Sequence, residues 1–187
     1  MLAAPFHAWG RVGGSASYSL YLDDTSFKQI PFIDLIVSIQ SNAPDCLISV
    51  NLTAMAGFAE LGVVIRMNDF SNPLNLLIAT IVTSDIPSVR IDKCLAGVWS
   101  NVATANIAYV AGATLVVDLK GSAIRVYYNN ILAFVTTNND AAILNNPYSG
   151  MFSTLDGNRL DNFDIIPNHD LSHLTLEKMT RRRNARL

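Results

Sequence analysis

The chain has 187 residues, half of them hydrophobic and only 15% charged, with a formal net charge of −2. Soluble domains usually carry roughly 25% charged residues, and the slight negative balance excludes a global field that would gather nucleic acid. No apolar run reaches the roughly 18 residues of a membrane helix, so the apolar surplus belongs to the core of one substantial domain or to contacts with other protein chains.

Residues 1–15 are punctuated by Pro5, Gly10, Gly13 and Gly14 and read as an irregular arm. Phe6 and Trp9 are its candidate anchors on a neighbouring subunit. The start has no basic residue ahead of its short apolar run, which is not the form of a secretory signal. Strands are then predicted at 16–22, 32–40, 46–55, 60–67, 75–82, 88–94 and 102–110, each bounded by residues that favour turns. Ser88 to Cys94 carries alternate charges, and Gly97 and Trp99 lead into the strand after it. Trp99 is expected to pack in the core or at its rim.

The stretch from Thr114 to Thr137 is the strongest signal. Leu115, Val117 and Leu119 alternate with Val116, Asp118 and Lys120, the period of a strand with one face in a core. Gly121 reverses the chain, Ile124, Val126 and Tyr128 resume the alternation, and Asn129-Asn130 suits a two-residue hairpin turn. Ile131 to Thr137 returns as the third strand. A polar loop follows, with strands at 148–153 and 159–166 and no stretch of helical periodicity before Pro167. Many short strands of this spacing predict an all-β antiparallel sandwich over residues 16–167.

Residues 168–187 differ. Asp170 can cap a helix with Leu171 and Leu174 on one side, ahead of a basic end that includes Arg181, Arg182 and Arg183. A short helix or an extended tail that docks on a neighbouring subunit is expected here, ahead of nucleic acid, because the body of the chain is not basic. The two cysteines, Cys46 and Cys94, read as reduced, buried thiols.

Catalytic patterns are missing from the sequence. Glycosidic cleavage uses two carboxyl groups held across the scissile bond, but the only glutamates, Glu60 and Glu177, stand in unrelated contexts. Asp161 and Asp164 are three apart, which in a regular strand sends them to opposite faces. His169 and His173 have the spacing of two metal ligands on a helix but lack an obvious third. Asn68, Asp69 and Asn72 are better explained as a turn than as a calcium loop. Neither an enzyme, nor a metal, nor a cofactor is expected.

The ordered set Gly62 to Arg66, Gly97 to Trp99, Gly121 to Tyr127 and Asp161 to Phe163 resembles the concanavalin A-like lectin/glucanase superfamily in its laminin-G-like branch, over residues 45–166. The resemblance implies a jelly roll of two packed antiparallel sheets. It includes sugar-binding modules, enzymes and bacteriophage particle proteins, and fold alone does not choose among them. The leading expectation is a non-enzymatic structural subunit at the surface of a virus particle, such as a bacteriophage capsid decoration or tail protein, in contact with copies of itself or with other particle proteins. A cytoplasmic location is expected otherwise, and no membrane partner. The alternative is a glycan-binding module, with Arg66, Asn68, Asp69 and Tyr127 as candidate ligand residues. The resemblance places an arginine at position 66.

Overall fold

The computed structural model describes residues 35–55, 57–69, 72–154 and 158–167, together with a two-residue strand at Leu20–Tyr21. The expected anchors Phe6 and Trp9, the tail residues Leu171, Leu174, Arg181, Arg182 and Arg183, and the expected tail helix lie outside the described residues.

The strands are β1 (Leu20–Tyr21), β2 (Leu35–Gln40), β3 (Cys46–Ala54), β4 (Glu60–Met67), β5 (Leu76–Val82), β6 (Ser88–Leu95), β7 (Val98–Asn106), β8 (Ala113–Lys120), β9 (Ala123–Tyr128), β10 (Ile131–Thr137), β11 (Tyr148–Ser153) and β12 (Arg159–Pro167). They form two six-stranded sheets, the first in the order β1-β12-β3-β8-β9-β10 and the second in the order β2-β11-β4-β5-β6-β7. Every pairing is antiparallel. The protein is an antiparallel β-sandwich of the jelly-roll, concanavalin A-like kind.

Period-two alternation builds the core. Ile48, Val50 and Leu52 of β3 and Leu115, Val117 and Leu119 of β8 meet Leu61, Val63 and Ile65 of β4 and Leu77, Ala79 and Ile81 of β5, all buried. Each fully buried aliphatic side chain of this size contributes roughly 1.5–3 kcal/mol. The second sheet also has apolar residues on its outer face. Val64, Met67, Leu76, Ile78, Cys94 and Phe152 are buried there, with Ile36 and Tyr148 packed against them. That explains why β4 and β5 read as nearly continuous apolar runs rather than alternating ones.

The meander expected from Thr114 to Thr137 is present as β8, β9 and β10, and Asn129 and Asn130 both take positive φ, 48° and 66°, in the turn between β9 and β10. Two expectations change. The strand predicted from Val102 begins instead at Val98, because Ala96 and Gly97, at φ 51° and 81°, close a tight hairpin directly after β6. The loop after Thr137 contains α1 (Ala141–Leu144), a single helical turn whose Ile143 is buried in the core. One turn is too short to register as a period.

Of the five register shifts among the described strands, three re-phase the alternation at candidate residues. On β4 the register shifts between the partners of Tyr148 and Gly150, and Arg66 sits there at φ 49°. On β7 the shift falls between the partners of Ile91 and Asp92, so Val102 is the extra residue. On β12 it falls between Asp161 and Asp164, with Asn162 at φ 52°. A bulge adds one residue to one strand and turns every later side chain to the other face. Asp161 pairs with Asn51 and Asp164 with Ser49, and these partners are two apart on β3. The two aspartates therefore share the outer face of the first sheet, which corrects the expectation that they oppose each other.

Candidate functional site

The bulge in β4 decides the fate of Arg66. In a regular strand its side chain would join Val64 on the outer face. Instead it is fully buried at one end of the sandwich and spans the two sheets. Its Nε donates to Pro44 O at 3.0 Å, and its Nη2 donates to Gly121 O at 2.7 Å and to Asp45 Oδ1 at 3.1 Å. The same carboxylate oxygen accepts from Gly121 N at 2.9 Å. Burial lowers the pKa of Arg66, and the Asp45 charge acts against that shift. Arg66, expected as a ligand residue, is here closed off from solvent with its Nε and Nη2 bonded within the protein. Its guanidinium is committed to holding the ends of both sheets together.

The other expected ligand residues are not gathered around it. Asn68 Oδ1 accepts from Leu74 N at 3.1 Å and from Asn75 N at 2.8 Å, which makes it the organiser of its own loop. Asp69 lies in that loop, half-buried. Tyr127 is half-buried on the outer face of the first sheet, opposite Val116 and Leu132 and close to the Asn129-Asn130 turn. Arg66 instead meets the Gly121 turn at the other end of β9. The four residues do not form one site.

The outer face of the second sheet does gather polar groups, at its β6–β7 side. Cross-strand register sets Thr80, Arg90 and Thr104 in one row and Ile78, Asp92 and Asn101 in the next. Arg90 Nη2 donates to Glu60 Oε1 at 2.7 Å, and Arg90 Nε is ion-paired with Asp92 Oδ2. Asn101 Nδ2 donates to Asp92 Oδ1 at 2.9 Å, and Thr104 Oγ1 donates to Asn101 Oδ1 at 3.1 Å. The bulge at Val102 is what lets Asn101 and Thr104, three apart, meet on one face. The result is a continuous ladder from Glu60 through Arg90, Asp92 and Asn101 to Thr104.

Trp99 completes this face. It lies opposite Cys94, two residues before Asn101, and is 48% exposed. It is on the outer face of a strand and half open to solvent, so of the two expected places, core and rim, the core is excluded. Asn101 and Thr104 are exposed as well, while Asp92 is 7% exposed and braced between Arg90 and Asn101. The arrangement offers a planar apolar ring beside a row of charged and amide groups fixed in position by one another. The exposed Asn101 amide and Thr104 hydroxyl have hydrogen-bonding capacity beyond that used within the ladder, so the row can exchange hydrogen bonds with a polyhydroxylated ligand while the ring covers an apolar face of it.

Glu60 and Asp92 both accept from the one Arg90 guanidinium. That is a brace, not two carboxyl groups facing each other across an empty cleft. Among the described residues no group of three or more His, Cys, Asp or Glu side chains is placed to hold a metal ion. Cys46 and Cys94 are free and buried, and burial pushes the Cys46 thiol up to about 12.

Sequence reasoning weighs Glu60 only as a lone carboxylate and does not single out Arg90, Asp92, Asn101 or Thr104. A signal for two of them existed. Arg90 and Asp92 alternate with the core residues Val89 and Ile91, which already placed two opposite charges on one outward face. Their meeting with Asn101 and Thr104 depended on the bulge.

No known protein-family profile matches the chain, and no curated protein matches it. Solved structures do. The chain resembles the carbohydrate-binding module CBM66 from Bacillus subtilis at 14% identity, with a TM-score of 0.50, 74% of this chain and 80% of the other being covered. It resembles galectin LEC-6 of Caenorhabditis elegans at 10% identity and a TM-score of 0.53, covering 79% and 94% of the two chains. It also resembles domain 4 of AbnA, a GH43 extracellular arabinanase from Geobacillus stearothermophilus in complex with arabinotriose, at 11% identity, a TM-score of 0.51 and 84% coverage of both chains. At these identities the likeness is one of fold, and it places the chain among concanavalin-like β-sandwiches.

Proposed function

We propose that the protein is a non-catalytic glycan-binding module whose ligand lies on the outer face of β6 and β7. The observation that carries this is the exposed Trp99 ring beside the braced ladder of Glu60, Arg90, Asp92, Asn101 and Thr104. Sugars combine C–H faces that stack on aromatic rings with hydroxyls that bond to planar polar groups, and a face with both features side by side matches that chemistry. Structures of the same fold include a carbohydrate-binding module and a domain bound to arabinotriose, which supports the same reading. The ladder contains two carboxylates and one guanidinium, so its balance of −1 favours a neutral saccharide over an acidic one.

The test is a glycan array followed by titration of the best saccharide. Trp99 is one of only two tryptophans, with Trp9, so a Trp9→Phe background reports Trp99 fluorescence alone. Expected results are a fluorescence change on binding, a loss of affinity of at least about tenfold (~1.4 kcal/mol) in Trp99→Ala and in Arg90→Ala, and no loss in Tyr127→Ala on the opposite sheet. The proposal is overturned if no saccharide binds, or if binding survives both substitutions.

A second proposal, a structural subunit of a bacteriophage capsid or tail in the laminin-G-like branch, is favoured by the low share of charged residues. Co-sedimentation of the chain with intact particles would support it, and a particle fraction free of the chain would sink it.

A further inference from the structure

We infer that residues 168–187 fold back over the outer face of the second sheet and close it from β2 to β6. The apolar side chains of that face are buried, although it is the sheet's other face that makes the core. Phe152 is 2% exposed and Ile78 3%, and Thr80 on the same face is closed off as well. A large side chain on a bare outer face keeps water above it, as Trp99 does on β7. These burials arise within one chain, so the cover is this chain itself and not a second copy or another protein. Among the described residues nothing supplies it: the first sheet packs on the inner face, and α1 turns Ile143 into that same core.

Position selects the segment. β12 ends at Pro167 opposite Cys46, and Pro44, just before β3, accepts from Arg66. The chain therefore leaves the sandwich at the end where Met67, Tyr148, Leu76 and Cys94 bound the apolar face. Residues 22–34, by contrast, leave β1 beside Arg159 and enter β2 beside Ser153, both at the opposite end.

Length and composition agree. The face from β2 to β6 spans four strand spacings, about 19 Å, and the 20 residues after Pro167 reach about 30 Å even as a helix. Leu171, Leu174, Leu176 and Met179 supply apolar side chains to lay on it. Gly62 and Gly150, paired with Phe152 and Val64 on this face, carry no side chain and let another segment come close. The basic end at Arg181, Arg182 and Arg183 then arrives on the β6 side, where the carboxylates of Glu60 and Asp92 outnumber the one guanidinium of Arg90. The cover stops short of Trp99, Asn101 and Thr104, so the inference does not rest on the ligand reading and leaves that face open.

The test reads Cys94, on the covered face, against Cys46, in the core. Thiol labelling of the full chain is followed by peptide mass mapping, in a Trp99→Ala background that removes the other neighbour able to shade Cys94. Leu171→Asp combined with Leu174→Asp should raise the labelling rate of Cys94 at least about tenfold through local opening and leave Cys46 protected. With benzoylphenylalanine in place of Leu174, irradiation in dilute solution should cross-link the segment to β4, β5 or β11 of its own chain. A Cys94 rate unchanged by the two aspartates overturns the proposal. So does release of Cys94 by Phe6→Asp with Trp9→Asp, which would make the N-terminal arm the cover. A cross-link to another chain overturns it too, because the tail would then dock on a neighbour. If both thiols label alike, the variant has unfolded, and the site of the cross-link alone decides.

Discussion

Arg66 shows how far one residue's context can depart from its sequence pattern. It occupies a left-handed conformation that costs a bulky side chain of order 1–3 kcal/mol. Three donated hydrogen bonds from a buried guanidinium offset that cost. Arg66→Ala keeps the unfavourable backbone and loses the bonds, so it should destabilise by about 3 kcal/mol. Arg66→Gly loses the same bonds but relaxes the backbone, so it should be less harmful by about 1 kcal/mol. Urea denaturation of both variants checks the order. The reverse order would mean that the bulge is not what holds Arg66 in place. Cys46 gives a second prediction at this scale. Its thiol pKa is raised from 9.0 to about 12 by burial, with the Arg66 charge opposing. Between those values the unfolded chain releases the proton and the folded chain keeps it, so stability falls as pH rises, with a slope approaching 1.36 kcal/mol per pH unit. Burial raises Tyr109 and Tyr128 in the same direction, so part of the alkaline loss belongs to them. Cys46→Ala should make the decline shallower between pH 9 and 11, and an unchanged slope would remove Cys46 from the account.

At the scale of elements, most strand positions were legible because alternation and turn chemistry are local. β4 and β11 were located to the residue, and the Asn129-Asn130 turn was read from two adjacent side chains. What stayed hidden was phase. A bulge is set by the partner strand, and neither Val102 nor Asn162 advertises itself in a single sequence. The candidate site depends on one of these bulges, which is why the charges of β6 are legible in the sequence while their partners on β7 are not. Gly150 tests the same dependence on a partner. It pairs with both Ser38 and Val64, and a Cβ built there would lie 1.9 Å from Val37 O. Gly62 is in the same position, 2.1 Å from Ala79 O. These contacts are with backbone, which cannot swing aside as a flexible side chain can. Gly150→Ala should therefore separate β2 from β11 and cost at least about 2 kcal/mol, within the range of overpacked sites. Hydrogen exchange should show faster amides in β2 than in β5. Uniform exchange across the sheet would contradict the local origin of the damage.

For the whole molecule, a sandwich with the proposed ligand face on one outer surface predicts how binding and stability are linked. The ladder is already braced in the absence of ligand, so little ordering remains to be done when a saccharide arrives. Binding should then act by mass action on the folded state alone, adding about 2.7 kcal/mol when the ligand is present at 100 times its dissociation constant. For a domain of this size each kcal/mol raises the melting temperature by roughly 2–4 °C, so the midpoint should rise by roughly 5–11 °C by the same relation. Trp99→Ala removes an exposed ring and should leave the unliganded midpoint within about 0.5 kcal/mol of the parent. Its ligand-induced rise should nonetheless collapse. Arg90→Ala differs, because it strips a shared partner from Glu60 and Asp92 and should lower the unliganded midpoint too. Thermal melts of the three proteins, with and without the saccharide, separate a ligand contact from a structural one. If Trp99→Ala kept the full rise, the ligand would bind elsewhere on the sandwich. If the parent showed no rise at saturation, the fold would be serving some purpose other than holding a sugar.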